Sequence, residues 1–294
     1  MMDEQDALEF IVSKVQKGGD DAAYIEGLLI TTDMLHEIFD FPKGTTYYTA
    51  GWRSVGASLS DIAAMGGRAI AVVAAYAAPK FDKNEIGEFI KGAKDVCNKV
   101  GSEYVGGDLS ESKYFSVVTT AVGESKKPVF RGGAVCGDVV CVTGTLGRSA
   151  VACKMFEDGD VERGNEIYRF TPRIKEGLLI SKFATSMMDS SDGIVRSLYE
   201  ISNLSECGFN IKSEKIPIDD RILDVLEDVD DALGLAMTYG EDFELVFTIP
   251  RRNYEEIKKL LEIDVNIIGE VTEGGIKMDG KVLENKGYTH HRIE

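Results

Sequence analysis

The sequence predicts an α+β protein made of two α/β-type domains with mixed sheets, and three observations carry that prediction. The chain has 294 residues, 44% of them apolar, which is enough for two domains that each bury a core. Apolar runs of strand length alternate with helical periodicity along the whole chain. The stretch Glu124-Ser125-Lys126-Lys127-Pro128 is polar and ends in proline, the signature of a junction. We therefore expect an N-terminal domain over residues 1–132 and a C-terminal domain over 133–294.

Leu8, Ile11, Val12 and Val15 recur at helical spacing before Gly18-Gly19 stops the pattern, which predicts a short first helix. Strands follow at 22–25 and 28–32, the second closed by Asp33. Between Gly44 and Gly67 lies a long helix whose Tyr48, Trp52, Val55, Leu59 and Ile62 form one apolar stripe. Its opposite face carries Ala50, Ser54, Ala57, Asp61 and Ala64, so the helix reads as buried on both sides with one acid among small residues. A strand at 69–77, a helix at 82–100 and strands at 103–106 and 115–123 complete the first half. Beyond the junction we expect strands at 138–143 and 186–188, with helices from 149, over 173–183 and over 194–205. The last third reads as a strand at 243–249, a helix at 254–261 and strands at 265–268 and 276–278.

A formal charge of −17, from 33 basic and 50 acidic residues, argues against nucleic acid or an anionic membrane surface as partner. Met1-Met2-Asp3-Glu4-Gln5-Asp6 places acids where a signal peptide carries lysine, and no segment has the length of a membrane span. Five cysteines without a C-x-x-C pair suit reduced thiols, so we expect a cytoplasmic protein.

The acids stand in unusual places. Leu28-Leu29-Ile30-Thr31-Thr32-Asp33 is too apolar for a solvated edge, and an unpaired carboxylate taken from water there costs several kcal/mol, on the order that Mg²⁺ with its oxygen ligands would offset. Gly19-Asp20-Asp21 aims two carboxylates from a turn, although a solvated Asx turn looks the same. Thr31-Thr32-Asp33 is a hard-oxygen set that equally suits a helix N-cap. Gly106-Gly107-Asp108 lets phosphate approach the backbone or simply makes a hairpin turn. Asp189-Ser190-Ser191-Asp192-Gly193 leads into a helix N-terminus, a seat for phosphate or a plain cap. Arg131 offers a guanidinium fork for phosphate or a surface ion pair, and Glu241-Asp242 can present acids to a cationic ligand or enter a strand. Tyr288 can stack on a ligand or dock the C-terminus, while Trp52 reads as core and the three histidines lack zinc spacing. Taken together, these acids exceed what capping requires. No G-x-x-x-x-G-K-[ST] or protein-kinase signature is present, so phosphate handling would fall to metal ions.

The ordered set GDDAA (19–23), TTDM (31–34), SLSDIAAMGG (58–67), YVGGD (104–108), RGGAVCGD (131–138), VTGTLGRSA (142–150), DSSDGI (189–194) and YGEDFELVF (239–247) closely resembles the thiamine-monophosphate kinase family of the aminoimidazole-ribonucleotide-synthetase-related superfamily. The resemblance spans nearly the whole chain. It implies ATP-dependent phosphorylation of thiamine monophosphate to thiamine diphosphate, and a homodimer whose N-terminal sheets pair into a β-barrel. By motif, Asp21, Thr31, Thr32, Asp33, Asp61, Asp108, Asp189 and Asp192 are implied around several Mg²⁺ ions, with Asp33, Asp61 and Asp108 catalytic. Gly107, Asp108, Arg131 and Ser191 are implied to bind ATP, and Glu241 and Tyr288 to face the thiamine moiety. Asp40-Phe41 stands where many members have histidine before phenylalanine, so Asp40 is implied at a substrate position with altered chemistry, and His36 is out of register.

Sister families fit less well. Selenophosphate-synthetase-like chemistry calls for a cysteine within residues 1–19, a hydrogenase-maturation relative should end in cysteine rather than Arg292-Ile293-Glu294, and an aminoimidazole-ribonucleotide synthetase should replace Thr32-Asp33-Met34-Leu35-His36 by a G-T-D-G-V-G-T-K-like segment. A divalent-ion or nucleotide-binding module without turnover is the rival from another class.

Overall fold

Residues 28–36 alternate, with Leu29, Thr31, Asp33 and Leu35 turned one way and Leu28, Ile30, Thr32 and Met34 the other. That period of two makes one continuous strand of them in the computed structural model. The structure describes residues 7, 10–15, 19–226 and 228–285. Of the expected first helix, residues 7 and 10–12 are helical, while Leu8 lies outside the described residues.

The N-terminal half runs β1 (Ala23–Ile25), β2 (Leu28–His36), α1 (Tyr47–Ala64), β3 (Arg68–Ala78), α2 (Lys83–Val100), β4 (Glu103–Glu111) and β5 (Ser116–Glu124). Its sheet has the order β1-β2-β5-β3-β4. Only the β3–β4 pair is parallel, so the sheet is mixed, as expected. Two expectations about strand ends are corrected. β2 continues three residues past Asp33 to His36, because that carboxylate has a hydroxyl partner on α1 and need not turn out to water. β4 runs through Gly106, Gly107 and Asp108 to Glu111. Edge position and an irregularity in register between Val72 and Val73 let it absorb the two glycines.

The C-terminal half contains β6 (Val139–Thr143), α3 (Arg148–Glu157), α4 (Val161–Tyr168), α5 (Ile174–Ile180), β7 (Ser186–Asp189), α6 (Ile194–Ser205), β8 (Gly208–Ile211), α7 (Ile222–Val225), α8 (Val229–Thr238), β9 (Leu245–Ile249), α9 (Tyr254–Leu260), β10 (Val265–Thr272), β11 (Ile276–Met278) and β12 (Lys281–Val282). The order β12-β11-β8-β10-β6-β9-β7 again mixes one parallel pair, β8–β11, with antiparallel neighbours. Sequence periodicity missed α4, α7, α8, β8 and β12. In α4 the central Gly164 obscures the pattern, and the helix is started instead by Asp160, whose side chain accepts from the Arg163 amide at 3.3 Å. β9 begins two residues later than expected because Glu241 and Phe243 hold left-handed backbone, φ 63° and 54°.

α1 explains its own composition. Val55, Leu59 and Ile62 share one apolar core with Val72 and Ala121 of the N-terminal sheet and with Cys141, Met187 and Phe247 of the C-terminal sheet. Ala50 and Ala57 face a second core with Ala74, Val117 and Phe170. The helix is thus buried on both faces between the two halves, as its small residues predict. Each fully buried side chain such as Leu59 contributes about 2–3 kcal/mol. Among the described residues, no helix is long and apolar enough to cross a membrane.

Candidate active site

α1 aims three polar side chains along its sheet and β7 sides. Ser58 Oγ donates to Asp33 Oδ2 at 2.8 Å, Asp61 accepts from the Thr31 hydroxyl, and Ser60 Oγ donates to Asp189 Oδ2 at 2.6 Å. Asp189 closes β7, as expected, and takes a further 3.3 Å bond from the Ser191 amide. From the turn before β1, Asp21 is gripped by Arg131, whose Nε and Nη2 donate at 3.2 and 3.0 Å. The Arg131 amide donates to Asp20 at 2.7 Å. One carboxylate oxygen each from Asp21, Asp61 and Asp189 lies within 4.8 Å of the others, an arrangement able to hold a metal ion.

The electrostatics call for a cation. Burial pushes Asp33 up to about 6, with Glu241 and Asp21 adding to the rise and the Ser58 hydroxyl opposing it. Burial, then the charges of Asp33, Asp189 and Asp21, hold Asp61 well above the ordinary carboxylate range. Burial and Asp21 push Asp189 up to about 7 against the pull of Ser60 and Arg131. Like charges 4 Å apart repel by about 4 kcal/mol at an effective dielectric near 20, and one guanidinium cannot neutralise the group. The donor set is all oxygen, partly buried and mutually repelling, which fits Mg²⁺.

Other expected residues lie elsewhere. Asp33, Thr119, Ala74 and Gly107 form one row across β2, β5, β3 and β4, so Gly107 stands about 14 Å from Asp33 by strand spacing. A β-carbon at Gly107 would sit 1.7 Å from the Ala74 carbonyl oxygen, so only glycine fits there. Asp108 shares the next row with Met34 and is exposed on the sheet face turned away from α1. Thr32 shares that outer face, its hydroxyl donating to Thr119 O at 2.9 Å. Asp192 is exposed, 3.6 Å from Arg196 Nε.

A cavity of 640 Å³ is lined by residues 37–45 together with Tyr47, Phe115, Cys153, Tyr168, Tyr239 and Glu241. It gathers both described substrate candidates, Asp40 and Glu241; Tyr288 lies outside the described residues. Asp40 Oδ2 accepts from the His36 amide at 2.6 Å, and its carbonyl accepts from Tyr168 OH at 2.8 Å, so this acid also shapes the cavity wall. Glu241 is joined to the Asp189 loop by its amide, 2.6 Å from Ser191 O. Gly240 approaches that loop so closely that a β-carbon would stand 2.4 Å from the same oxygen.

The Glu241 carboxylate pairs with Arg53, a residue of α1 for which local pattern suggested no role. Arg53 is fully buried, stacks 3.5 Å from the Tyr168 ring centroid and donates from Nη1 to Tyr168 O at 2.6 Å. The two neighbouring acids serve the framework. Asp242 caps α3 through the Gly147 and Ser149 amides at 2.6 and 2.9 Å, and Glu244 pairs with Arg173 and accepts from Thr143 Oγ1 at 2.6 Å. Ser58 and Ser60 were also missed as partners of the acids; the alternating hydroxyls of Ser58-Leu59-Ser60-Asp61 were the available signal.

The models described as "AIR synthase related protein, N-terminal domain" and "AIR synthase related protein, C-terminal domain" match residues 19–125 and 136–280. Fold and site therefore define the class as the two-domain AIR synthase related architecture. The thiamine-monophosphate kinase of Halobacterium salinarum is 46% identical over 291 residues, covering 98% of this chain and 100% of that protein. That of Methanospirillum hungatei is 41% identical, covering 99% and 100%. Among solved structures, AaThiL complexed with AMPPCP and TMP superposes with a TM-score of 0.88 at 30% identity, covering 98% of this chain and 97% of that one. The chain belongs to the thiamine-monophosphate kinase family.

Proposed function

We propose that this chain phosphorylates thiamine monophosphate to thiamine diphosphate with ATP, by direct transfer between phosphates, as a step of thiamine diphosphate biosynthesis. The observation that carries the reading is the Asp21–Asp61–Asp189 cluster joined through Ser191 to a 640 Å³ cavity holding Glu241. The names of the relatives and the AMPPCP and TMP bound to AaThiL support it.

In the reaction, an oxygen of the acceptor phosphate attacks the γ-phosphorus of ATP. The bond from that phosphorus to the β–γ bridging oxygen breaks, and ADP leaves with the electron pair. The attacking oxygen is already anionic, so no side chain has to remove a proton, and positioning supplies most of the rate. We assign Asp21, Thr31, Asp33, Asp61 and Asp189, with Asp192 at the rim, to hold Mg²⁺. Bound there, the ions would neutralise the phosphates' mutual repulsion. Arg131 orients Asp21, Ser58 and Ser60 orient Asp33 and Asp189, and Glu241 offers its charge to the cationic thiazolium ring. Asp40 borders the same cavity.

Thr32, Gly107 and Asp108 need a second subunit on this reading. Leu28, Ile30, Met34, Val73, Val105 and Leu109 are exposed apolar residues of the N-terminal sheet, and Met34 is 65% exposed. Such a face supports a homodimer in which two sheets close into a barrel. Gly107, Asp108, Arg131 and Ser191 then meet ATP from both sides of the subunit boundary. All five cysteines are free, which supports a cytoplasmic setting. The test is ADP release by the purified chain with Mg²⁺: release that depends on thiamine monophosphate supports the reading, and release indifferent to it, or none, contradicts it.

A further inference from the structure

We propose that the arginines at the junction of α3, α4 and α7 form a second anion site, built for a diphosphate group and separate from the reaction centre. A 300 Å³ cavity is lined by Arg148, Arg163, Glu166, Ile167, Arg169 and Arg221. An adjoining 440 Å³ hollow shares Arg148, Arg169 and Arg221 and adds Arg173 together with the acids Asp219, Glu244, Glu262 and Asp264. Neither shares a lining residue with the 640 Å³ cavity or with the Asp21–Asp61–Asp189 cluster. The inference stands independently of the phosphotransfer reading.

Two of the five arginines are held by carboxylates, Arg173 by Glu244 and Arg221 by Asp219. Arg221 is paired bidentately with Asp219, at 2.7 and 2.5 Å. Among the described residues, no ion pair involves Arg148, Arg163 or Arg169. Arg148 donates only to carbonyl oxygens, that of Arg169 at 3.3 Å and that of Asp242 at 3.0 Å. Burial lowers its hold on its proton, Arg53 and Arg173 lower it further, and Asp242 and Glu244 oppose them. In a chain with a net charge of −17, four arginines facing one carboxylate, Glu166, in the lining of the 300 Å³ cavity is a local inversion of sign. Like-charge repulsion disfavours such a cluster unless an anion occupies it.

The chemistry of that anion follows from the donors. Guanidinium forks match phosphate oxygens in pairs, and arginines entering from several elements suit more than one phosphate. A volume of 300 Å³ lies at the small end of ligand sites, enough for a diphosphate group while the remainder of its carrier extends into the adjoining hollow. Inorganic diphosphate, ADP and thiamine diphosphate all carry the group.

Calorimetric titration in EDTA tests this, because without metal the acid cluster repels anions. Each of the three diphosphates is titrated into the wild type, Asp61→Asn, the Arg163→Gln/Arg169→Gln double variant and Glu166→Gln. The proposal predicts that at least one binds wild type and Asp61→Asn within about twofold of each other, tenfold or more weaker to the double variant, and more tightly to Glu166→Gln. The tightest arm identifies the source. The gain in Glu166→Gln cannot be mimicked by misfolding. Absence of binding by all three, or binding that the double variant retains, overturns the proposal.

Discussion

Ser60 and Asp189 lie 129 positions apart, one on α1 and the other at the end of β7, and the Ser60 hydroxyl donates to the Asp189 carboxylate at 2.6 Å. This bond ties the helix shared by the two sheets to the strand that delivers the acid. It also stabilises the charged form of a carboxylate that burial and Asp21 push up to about 7.

Ser60→Ala should therefore weaken metal binding without dismantling the site. Loss of the hydroxyl raises Asp189 further, so protons compete better with Mg²⁺. The Mg²⁺ concentration for half-maximal rate should rise about tenfold, the lower end of the scale for lost outer contacts to a metal ligand, at pH 7 and by less at pH 8.5. An equal rise at both values would locate the effect elsewhere.

Asp33→Asn and Asp61→Asn should each lower turnover by about 10²-fold or more, by analogy with removing one preorganised transition-state stabiliser. The comparison is made at saturating ATP, thiamine monophosphate and Mg²⁺. Near-normal turnover in either variant removes that residue from the site.

The metal-free protein should lose stability as pH rises from about 5 to 8. Asp33 and Asp189 lie near 6 and 7 when folded and Asp61 is well above its ordinary value of 3.8, so the folded state keeps protons that the unfolded chain has released. Stability then falls with rising pH across that window. In EDTA, Asp61→Asn should melt above wild type at pH 8 and close to it at pH 5, and Mg²⁺ at pH 8 should raise the wild type more. Melting points that differ equally at both pH values would contradict the assigned repulsion.

Arg53→Met and Glu241→Gln separate framework from substrate contact. Removing the fully buried Arg53 leaves Glu241 without its cation and should cost about 3–5 kcal/mol in thermal or denaturant unfolding. Glu241→Gln should raise KM for thiamine monophosphate about tenfold, equivalent to about 1.4 kcal/mol, with little change in KM for ATP. A parallel rise in both KM values would argue against a contact specific to the thiamine moiety.

Part of this site was legible in the chain. The small residues opposite the apolar stripe of α1 announced a helix buried on both faces, and the same pattern set Asp61 apart from a surface acid. Asp189 ends its strand as read. Asp33 does not, because an acid satisfied by Ser58 can sit inside a strand, and that partner is 25 positions away. The Arg53–Glu241 pair spans 188 positions and depends on how the C-terminal half closes over α1. Asp108 looked equivalent to the other acids until strand order put it across the sheet and on the outer face, a distinction local pattern cannot make.

Transfer of labelled phosphate from ATP to thiamine monophosphate is the decisive measurement. With γ-labelled ATP, thiamine monophosphate and Mg²⁺, the purified chain should form thiamine diphosphate carrying the label in its terminal phosphate, and Asp61→Asn should form it at least about 10²-fold more slowly. Label released only as inorganic phosphate, or no labelled thiamine diphosphate from the wild type, would contradict the account.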